Sequence, residues 1–165
     1  MNYMKAGTYA EEFMDANRKI ERSNPTQFVH KWIPPPESAA KMNVAWLSSK
    51  TRNSMGIGLV VYDHTWALLT AYSEEIPRLG DGLHMAALAL IKALQFGKEA
   101  GFQRLLIEVT HPHLMAIIQS SEEYLSEIGD LVTIIRNSIS KFSYLKFLGI
   151  SDSCNKVAKL LASYA

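Results

Sequence analysis

Cysteine is nearly absent. Cys154 is the only one in 165 residues, which excludes an internal disulfide and any multi-cysteine zinc site. Glycine and proline are also scarce, at 9 and 6, so collagenous and low-complexity architectures are excluded. Neither sign of charge prevails: 17 Lys and Arg against 16 Asp and Glu give a formal charge of +1. Proteins that grip a phosphate backbone by charge alone usually carry a larger basic excess, so weak or no nucleic-acid binding is expected. No run approaches the roughly 18 apolar residues of a membrane span. Glu11, Glu12 and Asp15 fall where a signal peptide needs an apolar core. These absences point to a soluble intracellular chain, cytoplasmic or nuclear, with no membrane partner. What is present is 48% apolar and 20% charged residues, enough for one domain that buries about 70% of its unfolded surface.

The chain divides near residue 31. Tyr9, Phe13, Ala16 and Ile20 recur at helical spacing, so residues 1–31 read as a helical or linker segment before the domain at 32–165. Pro34, Pro35 and Pro36 cannot form helix and read as a stiff lead-in to a first strand. Three short apolar runs follow, Lys41–Ser48, Met55–Tyr62 and Trp66–Tyr72. The turn-formers Ser48, Ser49 and Asn53, then Asp63-His64, separate them, which predicts an antiparallel meander. The period then changes. Met85–Phe96 is apolar nearly all round and predicts a covered helix, ended by Gly97 or Gly101. Arg104–Val109 predicts a strand reached by a helical crossover, hence parallel to an earlier one. Helices over Pro112–Gln119 and Ser121–Phe142, a strand over Tyr144–Ile150 and a helix over Asn155–Tyr164 complete the pattern. The expected fold is α/β, with a mixed five-stranded sheet of three antiparallel strands then two parallel ones.

That order resembles the ribonuclease H-like domain of many plant proteins, related to the ribonuclease H portion of non-LTR retroelements. The resemblance rests on five segments. Trp32, the three prolines, Lys41 and Asn43-Val44 are similar to the opening W-x-P-P-P followed by K-x-N-x-D-G-A. Gly56-Ile57-Gly58 with Val60 and Asp63 is similar to G-x-G-x-V-x-R-D. Ala87, Ala89 and Leu90 fit the helix A-E-A-x-A-L. Ile107-Glu108 fits the strand E-S-D-S, and Asn155, Ala158, Leu161 and Ala162 fit N-x-x-A-D-x-L-A. The resemblance implies a ribonuclease H-like fold with helices on both faces of the sheet.

It also implies a site of four acids that hold two Mg²⁺ ions to cut RNA paired with DNA. Carried over one by one, the four positions are Ala45, Ala86, Thr110 and Lys159, none of them acidic. No Asp or Glu lies between Lys41 and Ser54 or between Leu83 and Lys92, so a shift of a residue or two does not restore one. Mg²⁺ wants oxygen ligands, chiefly carboxylates, and an ammonium at Lys159 opposes a cation. The expectation is therefore a pseudo-ribonuclease H with no metal and no cofactor. Trp46-Leu47 replaces the small Gly-Ala of the family, and Asp152 stands where the family often has a base. Both changes hinder nucleic-acid approach.

Other constellations read more plainly. Glu108 and Thr110 share one face of a strand, and Glu108 is expected to be neutralised by a nearby base, with Lys159 the candidate. His111 and His113 flank Pro112 and read as a turn and helix start, His84 as a capping or packing residue, and Cys154 carries no sign of reactivity. Trp46 and Trp66 are candidate aromatic anchors, with core packing the plainer reading for Trp66. A protein-interaction or scaffold module follows, with Trp46, Glu108 and Asp152 as candidate interaction residues and another protein as partner. The alternative is a non-catalytic binder of RNA or RNA–DNA hybrid; a residual hybrid ribonuclease ranks last.

Overall fold

The computed structural model describes residues 31–165. The helix expected around Tyr9 to Ile20 lies outside the described residues. Strands β1 (Ala40–Ser49), β2 (Ser54–Tyr62) and β3 (Leu68–Pro77) form the meander. Helix α1 (Gly82–Glu99) crosses to β4 (Arg104–Val109), and α2 (Pro112–Gln119) and α3 (Glu127–Ile139) precede β5 (Tyr144–Gly149). A 3₁₀ turn over Asp152–Cys154 leads into α4 (Lys156–Ser163). The sheet order is β3-β2-β1-β4-β5. The pairs β1–β2 and β2–β3 are antiparallel, while β1–β4 and β4–β5 are parallel. This is the expected mixed sheet.

Each boundary has a local cause. Asn53 takes the left-handed φ of 49° that closes the β1–β2 turn, a conformation asparagine tolerates better than most residues. Asp81 caps α1, accepting from the N–H groups of Leu83 and His84 at 3.0 Å each. The helix ends where Gly101 adopts φ 83°. There the Gly101 N–H donates to Lys98 and that of Phe102 to Gly97, the paired bonds of a glycine-terminated helix.

The sheet is covered on both faces. Met42, Val44, Ile57, Leu59, Leu105 and Ile107 bury against α1, whose Ala86, Ala89, Leu90 and Ala93 are all within a few per cent of full burial. On the opposite face Ala45 and Val60 meet Ala158 of α4. There α4 lies directly on the backbone of β2. A Cβ added at Gly58 would stand 2.0 Å from the Ala158 carbonyl oxygen, and one at Gly56 2.0 Å from that of Ala162.

Several element ends differ from expectation: β3 runs on to Pro77 and α3 stops at Ile139, and two starts move for a local reason. The helix expected over Ser121–Phe142 begins only at Glu127, because the preceding chain folds back over Gly129. A Cβ there would meet the Tyr124 carbonyl at 1.7 Å, and Leu125, assigned to the apolar face, is fully exposed. Strand β3 begins at Leu68, not Trp66. Trp66 sits in the turn with φ 70° and is 60% exposed, so it is not a core residue. Arg136 is drawn inward from the polar face of α3. It donates to the carbonyls of Ile117, Ile118, Ser120 and Glu122, which caps the C-terminal end of α2.

Candidate functional site

Residues 41, 43 and 45 of β1 alternate to one face, and in the parallel register Asn43 lies beside Glu108 of β4. Four polar side chains join at this point. The Lys41 ammonium pairs with Glu108 Oε1 at 2.8 Å, with both side chains only 2–3% exposed. Asn43 Nδ2 donates to the other carboxylate oxygen at 2.8 Å. Trp32 Nε1 donates to Asn43 Oδ1 at 3.1 Å, which fixes the orientation of that amide. Lys41 also donates to the Ile33 carbonyl and lies 5.2 Å from the centroid of the Trp32 ring.

The lead-in containing Trp32 and the prolines therefore does more than approach the sheet. Its indole and one carbonyl close a buried ion pair. Burial pushes the Glu108 carboxyl above its ordinary range, opposed by the Lys41 charge. The same burial lowers Lys41, again opposed by its partner. A buried charge needs such partners, because desolvation otherwise costs several kcal/mol per ion.

The base that neutralises Glu108 is thus Lys41, not Lys159. Lys159 turns instead to Asp152, 2.8 Å away on the preceding 3₁₀ turn, where the pair is open to solvent. The reason is local: Lys159 lies one helical turn beyond the start of α4, within reach of Asp152. Asp152 is accordingly bound by its sequence neighbour, although it remains exposed. Two residues beyond Asn43 and Glu108 on the same face come Ala45 and Thr110. Ala45 is buried under α4, and Thr110 is half-buried just past the end of β4. Ala86 lies in the larger core beneath α1.

Trp46 is not an exposed anchor. It is half-buried against the larger core, and its ring lies 3.7 Å from where a Cβ on Gly82 would stand, against the start of α1. His84 supports the cap of that helix, with Nδ1 2.8 Å from Asp81 Oδ1. His111 caps α2, its Nδ1 accepting from the Leu114 N–H at 3.2 Å. Burial lowers its pKa, as suits a ring that must accept a hydrogen bond. Cys154 is half-buried, with the Ser151 hydroxyl at 3.6 Å. Among the described residues no three His, Cys, Asp or Glu side chains come together.

The sequence pattern alone assigns no role to Trp32, Lys41 or Asn43. A usable sign is nonetheless present. Lys41 sits two residues from Asn43 inside an apolar strand, and a lysine in that setting needs an acid on the adjacent strand.

The sheet order, the crossover and the α4 position define a class, and solved structures agree. Ribonuclease H1 from Halobacterium salinarum superposes with a TM-score of 0.68 at 15% identity, covering 77% of this chain and 96% of its own. The N-terminal ribonuclease H domain from Mycobacterium tuberculosis gives 0.65 at 16%, covering 77% and 92%. LC11 ribonuclease H1, solved in complex with an RNA/DNA hybrid, gives 0.65 at 18%, covering 76% and 95%. At these identities the likeness is one of fold: the domain is ribonuclease H-like. A search of curated proteins gives no match. The family is set by a match over residues 41–165 to the model described as reverse transcriptase-like. The chain belongs to that family.

Among the described residues no helix is long and apolar enough to cross a membrane.

Proposed function

We propose that this is a catalytically inactive ribonuclease H-like domain, akin to the retroelement-derived domains of plant proteins, that serves as a protein-interaction or scaffold module. The observation that carries the reading is the commitment of Glu108. Its carboxylate is buried, and both oxygens are spent on Lys41 and Asn43. The residues present do not fit a pair of Mg²⁺ ions. Ala45 and Ala86 have no oxygen to give, Thr110 offers a neutral hydroxyl, and Lys159 brings a positive charge. Hard divalent cations in such sites need several carboxylates, and this set supplies none that is free to bind one.

The interaction half of the reading rests on exposed apolar surface. Val157, Leu160 and Tyr164 are 52%, 55% and 78% exposed on one side of α4. Trp66, Leu68 and Leu69 are exposed at the β2–β3 turn and the start of the edge strand β3. Exposed apolar side chains grouped in this way mark contact surfaces more often than solitary ones do.

The competing reading is a non-catalytic binder of RNA or RNA–DNA hybrid. Affinity separates the two. The purified protein should bind hybrid no tighter than the non-specific range of about 10⁻⁴ M at physiological salt. Proteins captured by it from an extract should remain after nuclease treatment. Sub-micromolar hybrid affinity, falling steeply with salt, would replace the scaffold reading by the nucleic-acid one.

A further inference from the structure

A cavity of about 460 Å³ opens on the α4 side of the sheet, between the aromatic side chains of Trp32, Tyr62 and Trp66 and the start of α4. That size suits a small organic ligand. Trp32 is a rigid wall, because its Nε1 is held by Asn43. Trp66 leans on it with ring centroids 4.3 Å apart. Trp66 also holds a left-handed φ of 70° while 60% exposed. A bulky residue in that conformation is strained. The strain is maintained by Asp63, whose Oδ1 accepts from the Thr65 N–H and hydroxyl and from the Ala67 N–H.

The opposite wall is an uncapped helix start. Asn155 is the N-cap of α4 but makes no cap bond with its side chain. Its Nδ2 donates instead to the Val44 carbonyl at 2.8 Å. The N–H groups of Lys156, Val157 and Ala158 therefore have no acceptor among the described residues, and all three residues line the cavity. Asn155, also lining it, is 1% exposed, and its Oδ1 has no hydrogen-bond partner. Both charged residues of the lining are lysines, Lys31 and Lys156.

The needs of such a wall define its ligand. Unpaired helix N–H groups and two ammoniums call for an anion. The exposed indole calls for a planar ring. The lone buried acceptor calls for an O–H or N–H donor between them. We propose that this cavity binds a phosphorylated nucleoside, taken either as a free mononucleotide or as the phosphorylated terminal nucleotide of a strand. The base stacks on Trp66, the phosphate meets the start of α4 with Lys31 and Lys156, and a ligand donor satisfies Asn155. The inference stands whether or not the domain cleaves nucleic acid.

Calorimetric titration of the whole protein with adenosine 5′-monophosphate, adenosine and inorganic phosphate tests it. The monophosphate should bind at least about tenfold more tightly than either fragment, since it alone meets both walls. Trp66→Ala and Lys156→Glu, both at exposed positions, should each weaken it by roughly tenfold while leaving the circular dichroism spectrum unchanged. A 5′-phosphorylated RNA trinucleotide decides the source. Equal affinity marks a mononucleotide site, and tighter binding a strand-end site. The proposal is overturned by no saturable binding at millimolar monophosphate, by phosphate alone binding as well, or by unchanged affinity in Trp66→Ala.

Discussion

Lys41→Met should cost about 3–5 kcal/mol of stability, because it leaves the Glu108 carboxylate buried without its counter-charge. Glu108 is 2% exposed and keeps only neutral donors, the Asn43 amide and the Trp32 indole, close by. Adding Glu108→Gln to that variant should recover most of the loss, since a neutral pair that keeps the Asn43 bond has no charge to desolvate. Chemical denaturation of the wild type, the two single variants and the double closes the cycle. The pH dependence of the Lys41→Met single variant has a definite sign. Burial already holds the Glu108 carboxyl above its ordinary value of 4.5, and loss of the lysine raises it further. A raised native pKa means that the folded state binds the proton more readily than the unfolded one. The variant's deficit should therefore be smallest below about pH 4.5 and grow as pH rises through the raised pKa. Equal stability of Lys41→Met and wild type at neutral pH would show that the pair is not buried as described.

Gly58→Ala should be nearly as damaging by a different route. The new methyl carbon would stand 2.0 Å from the Ala158 carbonyl oxygen and 2.6 Å from the Ala162 nitrogen. Both obstacles are backbone, so no rotamer change relieves them and α4 must lift off β2. Ordinary overpacking costs ~1–3 kcal/mol; a clash with helix backbone belongs at or above the top of that range. The expected fall in melting temperature is roughly 10 °C. Ala86→Gly, in the helix on the other face, should cost about 2 kcal/mol, the helix propensity of glycine plus one buried methyl, which separates the backbone clash from a general sensitivity to small-residue exchange.

Much of the fold is legible in the sequence because its elements announce themselves locally. Strand β4 and helix α2 begin and end where the apolar pattern does, at Arg104–Val109 and Pro112–Gln119. The parallel placement of β4 follows from a crossover helix whose length alone excludes a hairpin. The differences arise where distant chain overrides local pattern. Periodicity through Leu125 and Ile128 extends α3 backward, yet the fold-back of Tyr124 onto Gly129 stops it at Glu127. Trp66 reads as the first residue of a strand, but an aspartate side chain three residues earlier bends the chain there. The site shows the same division. The absence of acids at 45, 86, 110 and 159 is plain from the sequence. The partner of Glu108 is not, because Lys41 lies far away in the chain and only the β1–β4 register brings the two together. Lys159 is the nearer base by pattern, and Asp152 takes it. The cavity beside α4 is invisible for a related reason. It depends on Asn155 turning its amide to Val44, and on Trp66 resting on Trp32 across the sheet.

If the ribonuclease H-like frame persists here without its hydrolytic site, the purified protein should not cleave an RNA–DNA hybrid in Mg²⁺ or, separately, in Mn²⁺. A preparation of the Lys41→Met, Glu108→Gln variant, purified identically, serves as control for contaminating nuclease. Both proteins should release product no faster than a mock preparation. Cleavage by the wild type above that background, abolished by a chelator and absent from the variant, would contradict the proposed inactivity and place a working metal site at Glu108.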